Sequence, residues 1–210
     1  TDTLGGNDPY SASKASTEII YKSYYYSYLR KKKNISITSV RAGNIIGGGD
    51  WSENRIIPDC VKHWVKKKKL HVRNPDYIRP WQHVLDAING YLLLAKKISK
   101  TKKFNGDSFN FGPEKNSIKT VKQLCEIFQL YWFGPSEIYF KNKKQFSETK
   151  TLALSIIKAK KLLGWYPLMN LNKSLNLTAE WYQKYYKSVD VVDIYFDQIK
   201  YFKNLWKIKK

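Results

Sequence analysis

The sequence is poor in sulfur, in acid and in long apolar runs, and each shortage closes off a class of protein. It has two cysteines, Cys60 and Cys125. They form no CxxC pair and no ligand cluster with the three histidines, so a disulfide framework, a dithiol redox motif and a zinc site of regular spacing are excluded. Reduced, buried thiols in a cytosolic protein are the default reading. The longest apolar stretches, such as Tyr91-Leu92-Leu93-Leu94-Ala95, fall far short of the ~20 residues a spanning helix needs. No basic segment followed by an apolar run and a small-residue cleavage site is visible, so secretion has no support. A cytoplasmic location is expected. The first residue is Thr1 rather than methionine, and the sequence reads as processed or as part of something longer.

Acid is scarce against base: 38 Lys and Arg stand against 17 Asp and Glu, a formal net charge of +21. Such an excess raises the question of a nucleic-acid or anionic-membrane partner. Its make-up argues against one. The excess is mainly lysine, a point charge, and not arginine, whose fork reads phosphates and bases. It is scattered in short runs, Lys31 to Lys33, Lys66 to Lys69 and Lys207 to Lys210. Loose affinity for polyanions at low salt is expected on charge alone. What the sequence does not lack is core material. With 42% hydrophobic and 15% aromatic residues over 210 positions, it can fill one domain, or one and a half, and it is not a disordered chain.

Asp8-Pro9 reads as a helix start, a capping acid followed by proline at the first helical position. That helix is expected to run to about Arg30, with Ala12, Ala15, Ile19 and Ile20 near one face. Ile35 to Val40 alternates and is rich in β-branched residues, the pattern of a strand. Arg41-Ala42-Gly43-Asn44 and then Gly47-Gly48-Gly49-Asp50-Trp51 follow it, and a glycine-rich loop after a strand is where α/β sheets build ligand sites. Further helices are predicted over 57–67, 84–98, 120–132, 157–163 and 171–187. Leu85, Ile88, Leu92 and Ala95 form the inner stripe of the second of these, and Val121, Leu124, Cys125 and Phe128 point inward from the third. Short strands are predicted at 70–72, 109–111 and 138–140, with a turn at Asn74-Pro75-Asp76. The tail from Asp190 is weakly amphipathic. Strand–helix alternation in the first hundred residues argues for an α/β fold, with a mixed lobe behind it.

Tyr10 and Lys14 in DPYSASK lie one helical turn apart and so share a face. A phenol with a pKa of about 10 is a poor base at neutral pH, but a neighbouring ammonium favours the phenolate. A tyrosine so placed can relay the proton of an alcohol while hydride leaves the same carbon. The spacing alone is a weak signal, since 16 tyrosines produce it by chance on solvated helices. Its flanks sharpen it. DPYSASK, then a strand and RAGNIIGGGDW, resembles the extended, sugar-nucleotide branch of the short-chain dehydrogenase/reductases. RNPDYIRPWQHV, NFGP and LGWYP, in this order, are similar to the CDP-glucose 4,6-dehydratases over roughly residues 3 to 187.

The resemblance implies a partial Rossmann-like parallel sheet with a smaller C-terminal mixed α/β substrate-binding lobe. Residues 1–70 would be the C-terminal part of the NAD-binding domain, 71–188 mainly the substrate lobe with a return helix, and 189–210 a basic tail. It implies NAD as cofactor, a nucleoside-diphosphate sugar, CDP-glucose, as substrate, and a homo-oligomer. Members of the family carry a longer N-terminal half with the dinucleotide loop. Here the glycines at 47–49 come after Tyr10 and form no G-x-G-x-x-G at a strand-to-helix turn, so a missing N-terminal half is expected.

The chemistry implied is internal: hydride leaves C4 of the sugar, the 4-keto group acidifies the C5 proton, water leaves from C6, and hydride returns to C6. Tyr10 would be the base and Lys14 its electrostatic partner, both also touching the cofactor with Ala42 and Asn44. Arg79, then Arg55, then Arg73 would clamp the diphosphate, because arginine offers paired donors. Asn44 and Asn110 would orient substrate or serve as turn residues. Trp51 and Trp81 would line a base pocket or pack in the core, and His83 would sit at a helix start. Glu148 would touch substrate, although Ser147, Ser155 and Ile157 depart from the family pattern nearby. The alternatives are an inactive remnant that only binds or oligomerises, another nucleotide-sugar dehydratase or epimerase, and a basic polyanion-binding module.

Overall fold

The computed structural model describes residues 4–6, 8–141 and 149–208. Helix α1 (Pro9–Tyr24) starts where Asp8 caps it, Oδ1 accepting from the Ser11 amide at 2.9 Å, and a π-helical turn over Tyr25–Leu29 continues it. There follow β1 (Ser39–Ala42), β2 (Asn44–Ile46), α2 (Ile56–Val65), β3 (Leu70–Arg73), β4 (Ile78–His83) and α3 (Val84–Ile98). The rest of the chain gives β5 (Ser108–Phe111), β6 (Ile118–Thr120), α4 (Val121–Tyr131), β7 (Ile138–Lys141), α5 (Ile157–Leu163), α6 (Leu171–Tyr186) and α7 (Val191–Ile208).

The predicted α/β class with parallel pairing holds. β1 runs parallel to β5, β2 to β4 and β3 to β7, while β6 closes antiparallel on β4. Gly43 divides β1 from β2. Its amide donates to the Phe111 carbonyl at 3.1 Å, and a Cβ there would lie 2.3 Å from the Pro80 carbonyl oxygen. Only glycine lets the strand pass from one pair to the next at this separation.

Among the described residues, three apolar clusters fill the interior. The largest joins α2, β3, α4 and α6 through Trp64, Leu124, Phe128, Leu175 and Trp181. A second packs Phe109 and Phe111 of β5 against Leu94 of α3, Leu163 of α5 and Trp165 just beyond it. A third, of Met169, Leu177 and Phe202, seats α7 on α6. So residues 191–208 form a packed helix, with the buried Gln198 donating to the Leu177 carbonyl at 2.7 Å. Cys60 and Cys125 are buried and free, and burial pushes the Cys60 thiol well up. Among the described residues no helix is long and apolar enough to cross a membrane.

Several expectations are corrected. The strand predicted at Ile35 to Val40 begins four residues later, because Ile37 and Thr38 bond to Asn105 and the Asp107 carbonyl instead of a strand. Ile19 and Ile20 of α1 are exposed, at 60% and 57%; the side of α1 that meets the strands carries Glu18 and Tyr21. In α3 the buried stripe is Ala87, Gly90 and Leu94, and the predicted Ile88 and Leu92 face outward. The reason is Gly90: the Phe111 ring occupies the space a Cβ would take, 2.3 Å away. β4 is a strand that the sequence pattern does not announce: Pro80, a residue that argues against a central strand, sits in one, paired with Ile118.

Candidate active site

Tyr10 and Lys14 occupy the first two turns of α1. The Tyr10 side chain is 72% exposed, and the Lys14 ammonium lies 5.4 Å from its ring centroid. The helix is held from its other turns. Glu18 accepts from Arg41 Nε at 2.8 Å, from Ser39 Oγ at 3.0 and 3.1 Å and from Ser108 Oγ at 3.4 Å. Burial pushes the Glu18 carboxyl up, but the bonds from Arg41 and Ser39 outweigh it and hold the group below its ordinary value. Tyr21 Oη donates to the carbonyls of Asp107 at 3.1 Å and Ile37 at 3.3 Å. Burial, with Glu18 nearby, pushes that phenol up to about 12.

Ala42 and Asn44 flank Gly43 at the C-terminal end of β1 and the start of β2. Asn44 is thus a strand residue in register with Trp81, and not a turn residue. Asn110 lies in β5 opposite Arg41. Its side chain accepts from Arg41 Nη1 at 3.3 Å and donates to the Ser155 carbonyl at 3.2 Å.

The three arginines have different surroundings. Arg73, at the end of β3, lines a cavity of about 500 Å³ between that strand and α2, with Glu53, Asp59, His63 and His71 around it. Burial pushes the Asp59 carboxyl up against the pull of His63, Lys62 and Arg73. Arg55 is outside the lining, with Nε 4.0 Å from Asp50. Arg79, in β4, donates from Nη1 to the carbonyls of Ile78 at 2.8 Å and Lys150 at 3.2 Å, with its guanidinium 5.2 Å from the Tyr77 ring centroid. Glu148 and Ser147 lie outside the described residues.

The glycine-rich loop is filled with protein, contrary to its reading as a ligand loop. A Cβ on Gly48 would meet the Trp181 ring at 1.9 Å, and one on Gly49 would meet Tyr195 Oη at 2.5 Å. Trp51 belongs to the same aromatic cluster, 5.2 Å from the rings of Tyr182 and Tyr185, and Tyr182 Oη donates to the Asp50 carbonyl at 2.6 Å. Trp81 is buried, with Nε1 donating to Lys119. His83 caps α3, Nδ1 accepting from the Leu85 amide at 3.3 Å, and burial lowers its pKa to about 4, so it is neutral. The residues that sequence reasoning passed over are Glu18, Arg41 and Trp181. For Glu18 the signal was present: it continues the Tyr10–Lys14 spacing by one more turn.

A model of the NAD dependent epimerase/dehydratase family matches residues 1–112. The CDP-glucose 4,6-dehydratase of Salmonella typhimurium is 32% identical over 196 residues, covering 91% of this chain and 54% of that protein. Among solved structures, a dTDP-glucose 4,6-dehydratase from Bacillus anthracis in complex with NAD superposes with a TM-score of 0.70 at 24% identity, over 87% of this chain and 54% of that one. A UDP-glucose-4-epimerase from Stenotrophomonas maltophila with bound NAD superposes with a TM-score of 0.75 at 15% identity, over 90% and 59%. These likenesses show the fold. The chain spans about half the length of the curated relatives it matches.

Proposed function

Because the chain belongs to the NAD dependent epimerase/dehydratase family, we propose that it is the C-terminal part of a nucleotide-sugar 4,6-dehydratase that acts on CDP-glucose. The single observation that carries this reading is the Tyr10–Lys14 pair, with the ammonium 5.4 Å from the ring centroid on an exposed helix start. NAD is the cofactor of this family. The residues present suit its nicotinamide-ribose end, where a hydroxyl and an ammonium a turn apart can hold ribose hydroxyls, with Ala42 and Asn44 at the neighbouring strand ends. The Gly48–Gly49 turn does not suit its phosphates on the side where a Cβ would stand, since Trp181 and Tyr195 fill that space. NAD supplies the chemistry of accepting hydride at sugar C4 and returning it at C6.

Tyr10 Oη takes the proton of the 4-hydroxyl, and the Lys14 ammonium stabilises the phenolate that does so. The ketone formed at C4 acidifies the C5 proton; a base outside this chain would take that proton, and an acid there would give one to the C6 hydroxyl, which leaves as water. Arg73 binds the diphosphate at the cavity mouth. A volume of about 500 Å³ suits a nucleoside, within the ~300–1,000 Å³ of small-molecule sites. Arg55, Arg79, Asn44, Asn110 and Glu148 complete the proposed substrate contacts. The division at residues 70 and 188 is part of the same proposal, although α2 and α7 pack across those bounds onto α4 and α6. A cytoplasmic location belongs to it too, as does a homo-oligomer, which the exposed Ile19, Ile20 and Tyr24 of α1 support.

The 210 residues alone are expected to bind NAD weakly and to leave CDP-glucose unchanged, as an assay for a 4-keto product reads. A longer polypeptide in which this chain follows a dinucleotide-binding half is expected to turn over. In that polypeptide Tyr10→Phe lowers kcat by ~10²–10⁴-fold, the usual worth of a positioned acid–base group, with CDP-glucose binding kept. Turnover unaffected by Tyr10→Phe would overturn the assignment, and preference for UDP- or dTDP-glucose would move it to another nucleotide-sugar enzyme.

A further inference from the structure

Tyr10, Lys14 and Glu18 stand at successive turns of α1, and Glu18 is the only acid in the helix. A lysine and a glutamate four apart on an exposed helix ordinarily pair with each other. Here they do not. The Glu18 side chain is 11% exposed and is turned onto the strands, where it accepts from Arg41 Nε, Ser39 Oγ and Ser108 Oγ. The Arg41 guanidinium is fixed in turn, because its Nη1 donates to Asn110 across the parallel register Arg41↔Asn110. Lys14 is left over the Tyr10 ring and forms no ion pair among the described residues.

We propose that Arg41 is a positioning residue for the Tyr10–Lys14 pair, acting through Glu18: it holds the carboxylate on β1 and β5 and so keeps it from capturing the Lys14 ammonium. This rests on the reading of Tyr10 and Lys14 as the catalytic pair. The arrangement does two things at once. The ionic contact fixes the rotation of α1 against the strands, and it holds the one carboxylate within α1 away from Lys14; Asp8, which caps the helix, is taken up by the Ser11 amide and hydroxyl. Asn110 belongs to the same device, through the bond that aims the guanidinium.

Three variants of the chain test it: Arg41→Ala, Arg41→Lys, and Arg41→Ala combined with Glu18→Gln. In the 210-residue protein, the Lys14 side chain is followed by its 13Cε and 15Nζ resonances, and α1 by amide hydrogen exchange. Arg41→Ala is expected to move the Lys14 resonances, as Glu18 swings to it, and the double variant to return them towards the parent. Both are expected to speed exchange in α1 while α4 and α6 exchange as before, and Arg41→Lys to restore most of the protection. In the longer polypeptide, Arg41→Ala is expected to lower kcat by at least ~10-fold, a fraction of what a positioned acid–base group contributes, at unchanged KM. The double variant is expected to recover part of that loss. A purely structural bond predicts the opposite order, with the double variant no better than the single. That order, or Lys14 resonances indifferent to Arg41→Ala, would overturn the proposal. Absence of turnover in the parent would instead count against the dehydratase reading, and leave the resonance and exchange measurements to decide this one.

Discussion

In the lobe built by α2, α4 and α6, contact is by rings: Trp64 stacks on Phe128 at 5.6 Å and tilts against Trp132 at 5.7 Å, and all three are buried. Where α1 meets β1 and β5, contact is by polar atoms: Glu18 with Arg41, Ser39 and Ser108, and Tyr21 with two carbonyls. The apolar residues of that same helix, Ile19, Ile20 and Tyr24, face outward. Burial of apolar surface is non-directional and dominates stability, while each polar contact nets only ~1 kcal/mol but has a defined geometry. The lobe therefore holds most of the stabilising apolar burial, and the α1 region is oriented by polar contacts that stabilise little. The edge of β1 is consistent with this, since β5 is its one partner among the described strands and Val40 is exposed; an open parallel edge invites further pairing.

The largest expected effect tests the lobe. Phe128→Ala removes a fully buried ring and is expected to cost ~3–5 kcal/mol, the range for aromatic truncation in a core, read as a lower urea midpoint. Loss of under ~1 kcal/mol would show that the lobe does not hold the fold. The next effect is set by pH. His83 is buried neutral at the start of α3, with its pKa lowered from 6.5 to about 4. The unfolded chain binds the proton first, so stability is full above pH 6.5 and falls as the pH drops towards 4. A shift of that size is worth ~3 kcal/mol at ~1.4 kcal/mol per unit. His83→Asn, which keeps a capping side chain, is expected to flatten this part of the pH–stability curve. A curve unchanged by the substitution would remove His83 as its cause.

Most helices were legible because their signals are local: Asp8-Pro9 for α1, Gly164 in the left-handed region after α5, and the apolar stripe of α4. The predicted start and end of α3 agree with the structure, yet its inner face was misassigned. Periodicity favours large residues, and here the buried face is the one where Gly90 admits Phe111. β2, β4 and β6 were missed because three- to six-residue strands with a proline or glycine at the junction are defined by their partners. In the candidate site the Tyr10–Lys14 pair could be read from spacing, since one helix holds both. The distribution of Arg55, Arg73 and Arg79 could not, because which of them reaches the cavity depends on how β3 and β4 are threaded. The glycine triplet was misread for a similar reason: the residues it accommodates, Trp181 and Tyr195, are distant in sequence.

The smallest effect is the most discriminating for the α1 region. Tyr21 Oη donates to Asp107 and Ile37 at the entrances of β5 and β1, and with its pKa pushed up to about 12 it remains a neutral donor across the working range. Tyr21→Phe keeps the ring and deletes the donor. Both carbonyls are in half-exposed segments, so water can replace the hydroxyl and the net cost is expected to be ~0.5–1.5 kcal/mol. That loss should appear as faster amide exchange in α1 with little change in the urea midpoint, because the lobe does not depend on the helix. Acid should act on the same element: the lowered Glu18 carboxyl gives its stabilisation above about pH 4.5, its ordinary value, and loses it as the pH falls further. In the Tyr21→Phe protein, α1 is therefore expected to open at a higher pH than in the parent. If Tyr21→Phe instead lowers the urea midpoint as far as Phe128→Ala, the two regions unfold as one, and the distinction between a self-sufficient lobe and an oriented helix fails.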